Sequence, residues 1–192
     1  MENNIDFVES IVEKWTQNKQ RNSLDIFCSE NPDNTFVIDI FPDQIKDMEK
    51  CCQVEVFYKK LLDKEIDKDR YIQLERKFVE FIKYSWLYDS MDVFYDLWFD
   101  AYFRKGIKAM RSWKKGQKSD TIKNITSWET LEYLTLLALR EAGHLFIYSE
   151  TKELMYIING LSILVICKES EGIDEIRSYA KSLGLYIRNI VY

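Results

Sequence analysis

The stretch "DSMDVFYDLWFDAYF", residues 89–103, decides how the middle of the chain is read. Aspartates stand at 89, 92, 96 and 100, at spacings of three, four and four. On an α-helix those spacings draw one line of carboxylates, within about 60° of one another at 100° per residue. Met91, Val93, Phe94, Leu97, Trp98 and Ala101 then fall on the far side, and Tyr88, Tyr95, Phe99 and Tyr102 on a flank. The stretch is therefore expected to open a helix capped by Asp89 or Ser90. Neighbours should enclose it, with the aspartates as its wet edge.

Working back from this stretch, Tyr71, Leu74, Phe78, Phe81 and Ile82 recur at helical spacing and predict a helix over about 69–88. The charged run DKEIDKDR, 63–70, reads as a connection. A helix is expected over about 43–64, with Ile45, Met48, Cys52 and Phe57 inward. TFVIDIF, 35–41, is rich in β-branched and aromatic residues and reads as a strand stopped by Pro42. A first helix is expected from about Asn4 to Gln17, through Ile5, Val8, Ile11, Val12 and Trp15.

Working forward, KKGQKSDTIKNI, 114–125, reads as a loop, and Thr126 with Glu129 as a capping box. The helix it opens carries Leu131, Leu134, Leu137 and Ala138 inward and ends at Gly143. The period then changes. HLFIYS (144–149), LMYII (154–158) and LSILVIC (161–167) read as strands, with Asn159-Gly160 as a short-hairpin signal. GIDEIRSYAKSLG, 172–184, reads as a short amphipathic helix before a last strand, LYIRNI, 185–190. The crossover from 161–167 to 185–190 suggests a parallel pair.

These elements define an α+β fold: a helical N-terminal lobe of about five helices, then a small C-terminal mixed sheet made of a β-meander followed by α-β. The whole, 1–192, reads as a single domain, with a helical lobe 1–143 and a sheet lobe 144–192 sharing one core. Six Gly and two Pro in 192 residues suit long helices and short loops. The 46% hydrophobic and 31% charged residues allow both a core and a charged surface.

The net charge of −5 is unevenly spread. Residues 1–103 carry 13 Lys/Arg against 22 Asp/Glu, whereas 104–192 carry 14 against 10. The acidic part favours basic partners and repels nucleic acid. The basic run RKGIKAMRSWKKGQK, 104–118, is read as helix-end cations complementing a dipole. Four cysteines, Cys28, Cys51, Cys52 and Cys167, form no C-x-x-C, and His144 is the single histidine, so no zinc site is expected. Aspartates strung over about 16 Å of helix cannot converge on one ion, so no metal is expected either. No Walker A, G-x-G-x-x-G or G-x-S-x-G occurs, and no cofactor or catalytic residue is assigned. The N-terminus, MENNIDFVES, lacks the apolar run of a signal peptide, and no stretch of 18 apolar residues occurs. The expectation is a cytoplasmic, non-enzymatic protein.

The remaining candidate is a docking surface. Asp89, Asp92, Asp96 and Asp100, flanked by Tyr88, Tyr95 and Tyr102, are expected to meet a basic protein partner. In its small size, acidic aromatic-rich character, Lys/Asn/Ile-rich usage and lack of catalytic motifs, the chain resembles immunity proteins of bacterial polymorphic or contact-dependent toxin systems. The resemblance implies binding and neutralisation of a cognate toxin domain. A second reading is a regulatory or structural interaction protein, homo-oligomeric through a sheet edge. A third is a hydrolase using His144 with nearby carboxylates.

Overall fold

A computed structural model of the chain describes residues 4–16, 23–47, 49–51, 56, 58–63, 67–97, 119–122, 124–170 and 172–190. The elements run in the order α1 (Asn4–Thr16), α2 (Leu24–Glu30), β1 (Thr35–Asp39), α3 (Tyr58–Leu62), α4 (Lys68–Tyr88), β2 (Met91–Leu97) and β3 (Ser119–Ile122). They continue with α5 (Trp128–Leu139), β4 (Gly143–Ser149), β5 (Leu154–Ile158), β6 (Ile163–Cys167), α6 (Ile173–Ser182) and β7 (Tyr186–Asn189). The strands form one sheet in the order β3-β2-β4-β5-β6-β1-β7. Each described neighbouring pair is antiparallel.

The expected division into a helical and a sheet lobe is overturned. β1, β2 and β3 come from before residue 143 and enter the same sheet as β4 to β7. The expected helix at 89–103 is a strand over 91–97, wedged between β3 and β4. The physical reason lies in its side chains. Met91, Val93 and Tyr95 alternate onto one face and are buried there, while Phe94 is buried on the other. Residues apolar on both faces suit a strand covered from both sides, and Val, Phe and Tyr favour the pleated backbone. The strand also relaxes Asp92 and Asp96: at about 3.3 Å per residue they stand roughly 13 Å apart, against about 6 Å on a helix.

The expected parallel pair is also overturned. β6 and β7 both pair with β1, which lies between them and runs antiparallel to each. Of the expected helix over 43–64, the described residues show two helical pieces, 49–51 and the short α3. The other expectations at the C-terminal end stand close to where they were placed. The Asn159-Gly160 turn joins Ile158 to its partner Ile163, with Gly160 at φ +68°.

Helices cover both faces of the sheet. On one face α4, α5 and α6 enclose the larger core, with Phe78, Phe81, Leu134, Leu137 and Ile176 against Val93, Ile147, Tyr156 and Val165. On the other, α1 lays its Phe7, Val8, Ile11, Val12 and Trp15 stripe, with Phe27 of α2, over Phe94, Phe146, Tyr148 and Ile166. Phe7 stacks on Phe94 with centroids 5.5 Å apart. Side-chain caps fix two helix starts: Asp67 accepts from the Arg70 amide at 2.9 Å, and Ser127, in place of the expected Thr126, accepts from Thr130 at 3.3 Å. Below the larger core a polar staple ties α4 to the end of α5. Arg140 donates through Nε and a terminal nitrogen to the two carboxylate oxygens of Glu75, at 2.6 and 2.8 Å. Tyr71 donates to the Leu139 carbonyl at 2.8 Å.

Candidate functional site

The expected line of four aspartates does not form. Asp89 closes the end of α4 in extended backbone and turns inward. Its carboxylate accepts from the hydroxyls of Ser149 and Thr151 and from the Ser90 amide, the last at 2.8 Å, which ties the end of α4 to the β4–β5 turn. Asp92 accepts from the Asn124 amide at 2.8 Å. Asp96 stands opposite His144 in the β2–β4 register. Tyr95, expected on the flank, is 1% exposed in the larger core and so presents no face to a partner. Asp100, Tyr102, Trp98 and the basic run 104–118 lie outside the described residues.

Tyr88 does reach the surface. It is the last residue of α4 and is 68% exposed, next to Leu87 at 59%. These are the two most exposed of the large apolar side chains among the described residues. Tyr88 sits one helical turn from Tyr84, with ring centroids 4.8 Å apart. Tyr84 in turn stacks on Tyr179 of α6 at 3.8 Å and 20°. Its hydroxyl donates to Glu175 at 2.7 Å, and this bond to a carboxylate pushes its pKa up to about 12. Tyr179 is backed by Phe81 at 6.1 Å and donates to the Glu80 carbonyl at 3.3 Å. The ladder is built by sequence: positions 81, 84 and 88 recur at helical spacing on α4, and Glu175 and Tyr179 lie one turn apart on α6. The result is a row of aromatic rings with both ends of its central tyrosine fixed. Glu80 and Glu175 beside it also meet Lys83 and Lys152, at 3.7 and 3.8 Å.

His144 sits at the start of β4 near the opposite end of the sheet. The Asn159 amide nitrogen donates to its Nε2 at 2.8 Å, which puts the ring proton on Nδ1 in the neutral form. Burial pushes its pKa below the ordinary value, and Asp96 opposes that shift. Close by, a cleft of 590 Å³ lies between the segment after β1, the β5–β6 turn and Arg188 of β7. Sequence reading missed both the cleft and the ladder. The ladder's signal was present in the spacing of Phe81, Tyr84 and Tyr88, but nothing in sequence places Tyr179 beside it. Among the described residues no helix is long and apolar enough to cross a membrane. Comparison with family models, with curated proteins and with solved structures returns no match.

Proposed function

We propose that the protein acts by binding another protein, a basic toxin domain that it neutralises in the cytoplasm in the manner of bacterial immunity proteins. It has no reaction of its own, and it docks through the aromatic ladder of α4 and α6. The observation that carries this reading is the pair Leu87 and Tyr88, exposed side by side beside the fixed Tyr84–Tyr179 stack. Tyrosines held in place before binding lose little conformational freedom on contact, which is why such rings serve as interface anchors. The net charge of −5 favours encounter with a basic partner and leaves the apolar rings to hold it.

The test is co-expression. Capture on the immobilised protein should recover a basic protein whose toxicity the wild type relieves. The double change Leu87→Ser and Tyr88→Ser leaves buried residues untouched and should abolish both capture and rescue. Full rescue by a folded double variant sinks this reading. A second reading draws on β7, which among the described residues is an edge strand paired only with β1 and leaves Tyr186 44% exposed. Strand addition there gives a homo-oligomer, which light scattering distinguishes from a monomer.

A further inference from the structure

The 590 Å³ cleft has a chemistry of its own. Phe41, Ile45, Val56 and Leu161 supply apolar walls. Its charged lining is Asp39, Asp43, Glu141 and Arg188. Arg188 is the one cation among the described lining residues, and it is already engaged with Asp39 at 3.2 Å. Asp39 is further occupied by the Ile40 amide at 2.6 Å. The charge left over is negative, on the exposed Asp43 and the half-buried Glu141.

Glu141 is held there by backbone that ordinary side chains avoid. It follows the last turn of α5 at φ +58°, and a non-glycine residue in that region stores strain of order 1 kcal/mol or more. One of its oxygens accepts from the Tyr58 amide at 3.1 Å. Its side chain lies over Gly160, with Cγ 3.7 Å from where a Cβ on that glycine would stand. The turn thus leaves ordinary contact distance for the carboxylate. Burial pushes the Glu141 carboxyl above its usual range, so its charge is poorly solvated. A half-buried anion beside apolar walls is complementary to a cation on an apolar stem, because pairing restores part of what solvent does not supply. The volume falls within the range of small-molecule sites.

We propose that this cleft binds an organic cation with an apolar stem, an alkylguanidinium or alkylammonium, with Glu141 as its counter-ion. The same chemistry is carried by a free amine and by an arginine or lysine side chain on a protein. The site lies apart from the ladder and does not depend on the reading given to that surface.

The experiment is titration of the full chain with n-butylguanidinium, n-pentylammonium, the blocked peptide acetyl-Ala-Arg-Ala-amide and, as the uncharged control, n-pentanol. Amide chemical shifts report the site. The cations should shift residues 39–43, 141 and 159–162, and pentanol should not. Glu141→Gln keeps the size of the side chain and an acceptor for Tyr58, and should weaken cation binding about tenfold or more, as loss of a close charge partner does. Asp43→Asn, remote from the Tyr58 bond, should weaken it by less. Binding of the free cations alone marks a metabolite site, and binding of the peptide marks a site for a basic protein side chain; both outcomes support the proposal. Absence of binding by every cation overturns it, and so does unchanged affinity in folded Glu141→Gln.

Discussion

Glu75 is only 3% exposed, and its two carboxylate oxygens face Arg140 in a bidentate pair. Removing one member leaves the other charge buried and unpaired, and that is the costly change. Arg140→Met is expected to lower stability by about 3–5 kcal/mol, measured by denaturant titration. Replacing both, with Glu75→Leu added, is expected to recover most of the loss. A small cost for Arg140→Met alone contradicts the buried geometry. His144 gives a prediction with a sign. Its pKa is lowered in the folded state by burial, so the unfolded chain takes up a proton first as pH falls. The stability this residue contributes is fully present above its unfolded pKa of about 6.5 and is lost as pH falls below it through the folded value. Wild type is therefore expected to lose stability from pH 7 to pH 5 more steeply than His144→Gln. Equal slopes count against the buried neutral ring. Neither behaviour follows from sequence, because both depend on what faces the residue across the fold.

At the scale of elements, local signals served best where partners are near in the chain. The Asn159-Gly160 turn is legible because the β5 and β6 it joins are consecutive, and the β-branched run at 163–167 and the amphipathic 173–182 are legible from their own composition and period. β2 shows why the rest was not. A strand covered on both faces loses the apolar–polar alternation that marks a half-exposed one, so Asp92 and Asp96, which mark one face of the strand, read equally well as a line on a helix. Met91, Val93 and Tyr95 held the signal, as alternate positions that are all apolar. The strand makes a direct NMR prediction. Cα secondary shifts over 91–97 should be negative, and the amides in the β2–β4 ladder should exchange slowly. A run of positive shifts there restores the helix. The candidate site divided in the same way: Tyr88, named from sequence, is exposed, Tyr95 was misplaced by the helical reading, and Tyr179 was invisible because α4 and α6 meet only in the folded molecule.

For the molecule as a whole, the sheet is interlocked. β1 from the N-terminal part fills the place between β6 and β7, and β2 covers the open side of β4. Residues 144–192 expressed alone therefore lack β1, the described partner of β7 and one neighbour of β6, and of the described helices keep α6 alone. They are expected to give collapsed NMR dispersion and no cooperative unfolding transition. A sharp transition in that fragment shows that the four C-terminal strands suffice. The same interlocking has a consequence during synthesis. Thr35 pairs with Ile166, so β1 leaves the ribosome about 130 residues before the strand that receives it. At about 5–20 residues per second that interval is on the order of ten seconds. For that time the five-residue β1, whose described ladder partners are β6 and β7, has neither of them to pair with. Nascent chains on one polysome can pair β1 with a neighbour's β6, so crowded translation is the condition under which this fold is most exposed to exchange between copies.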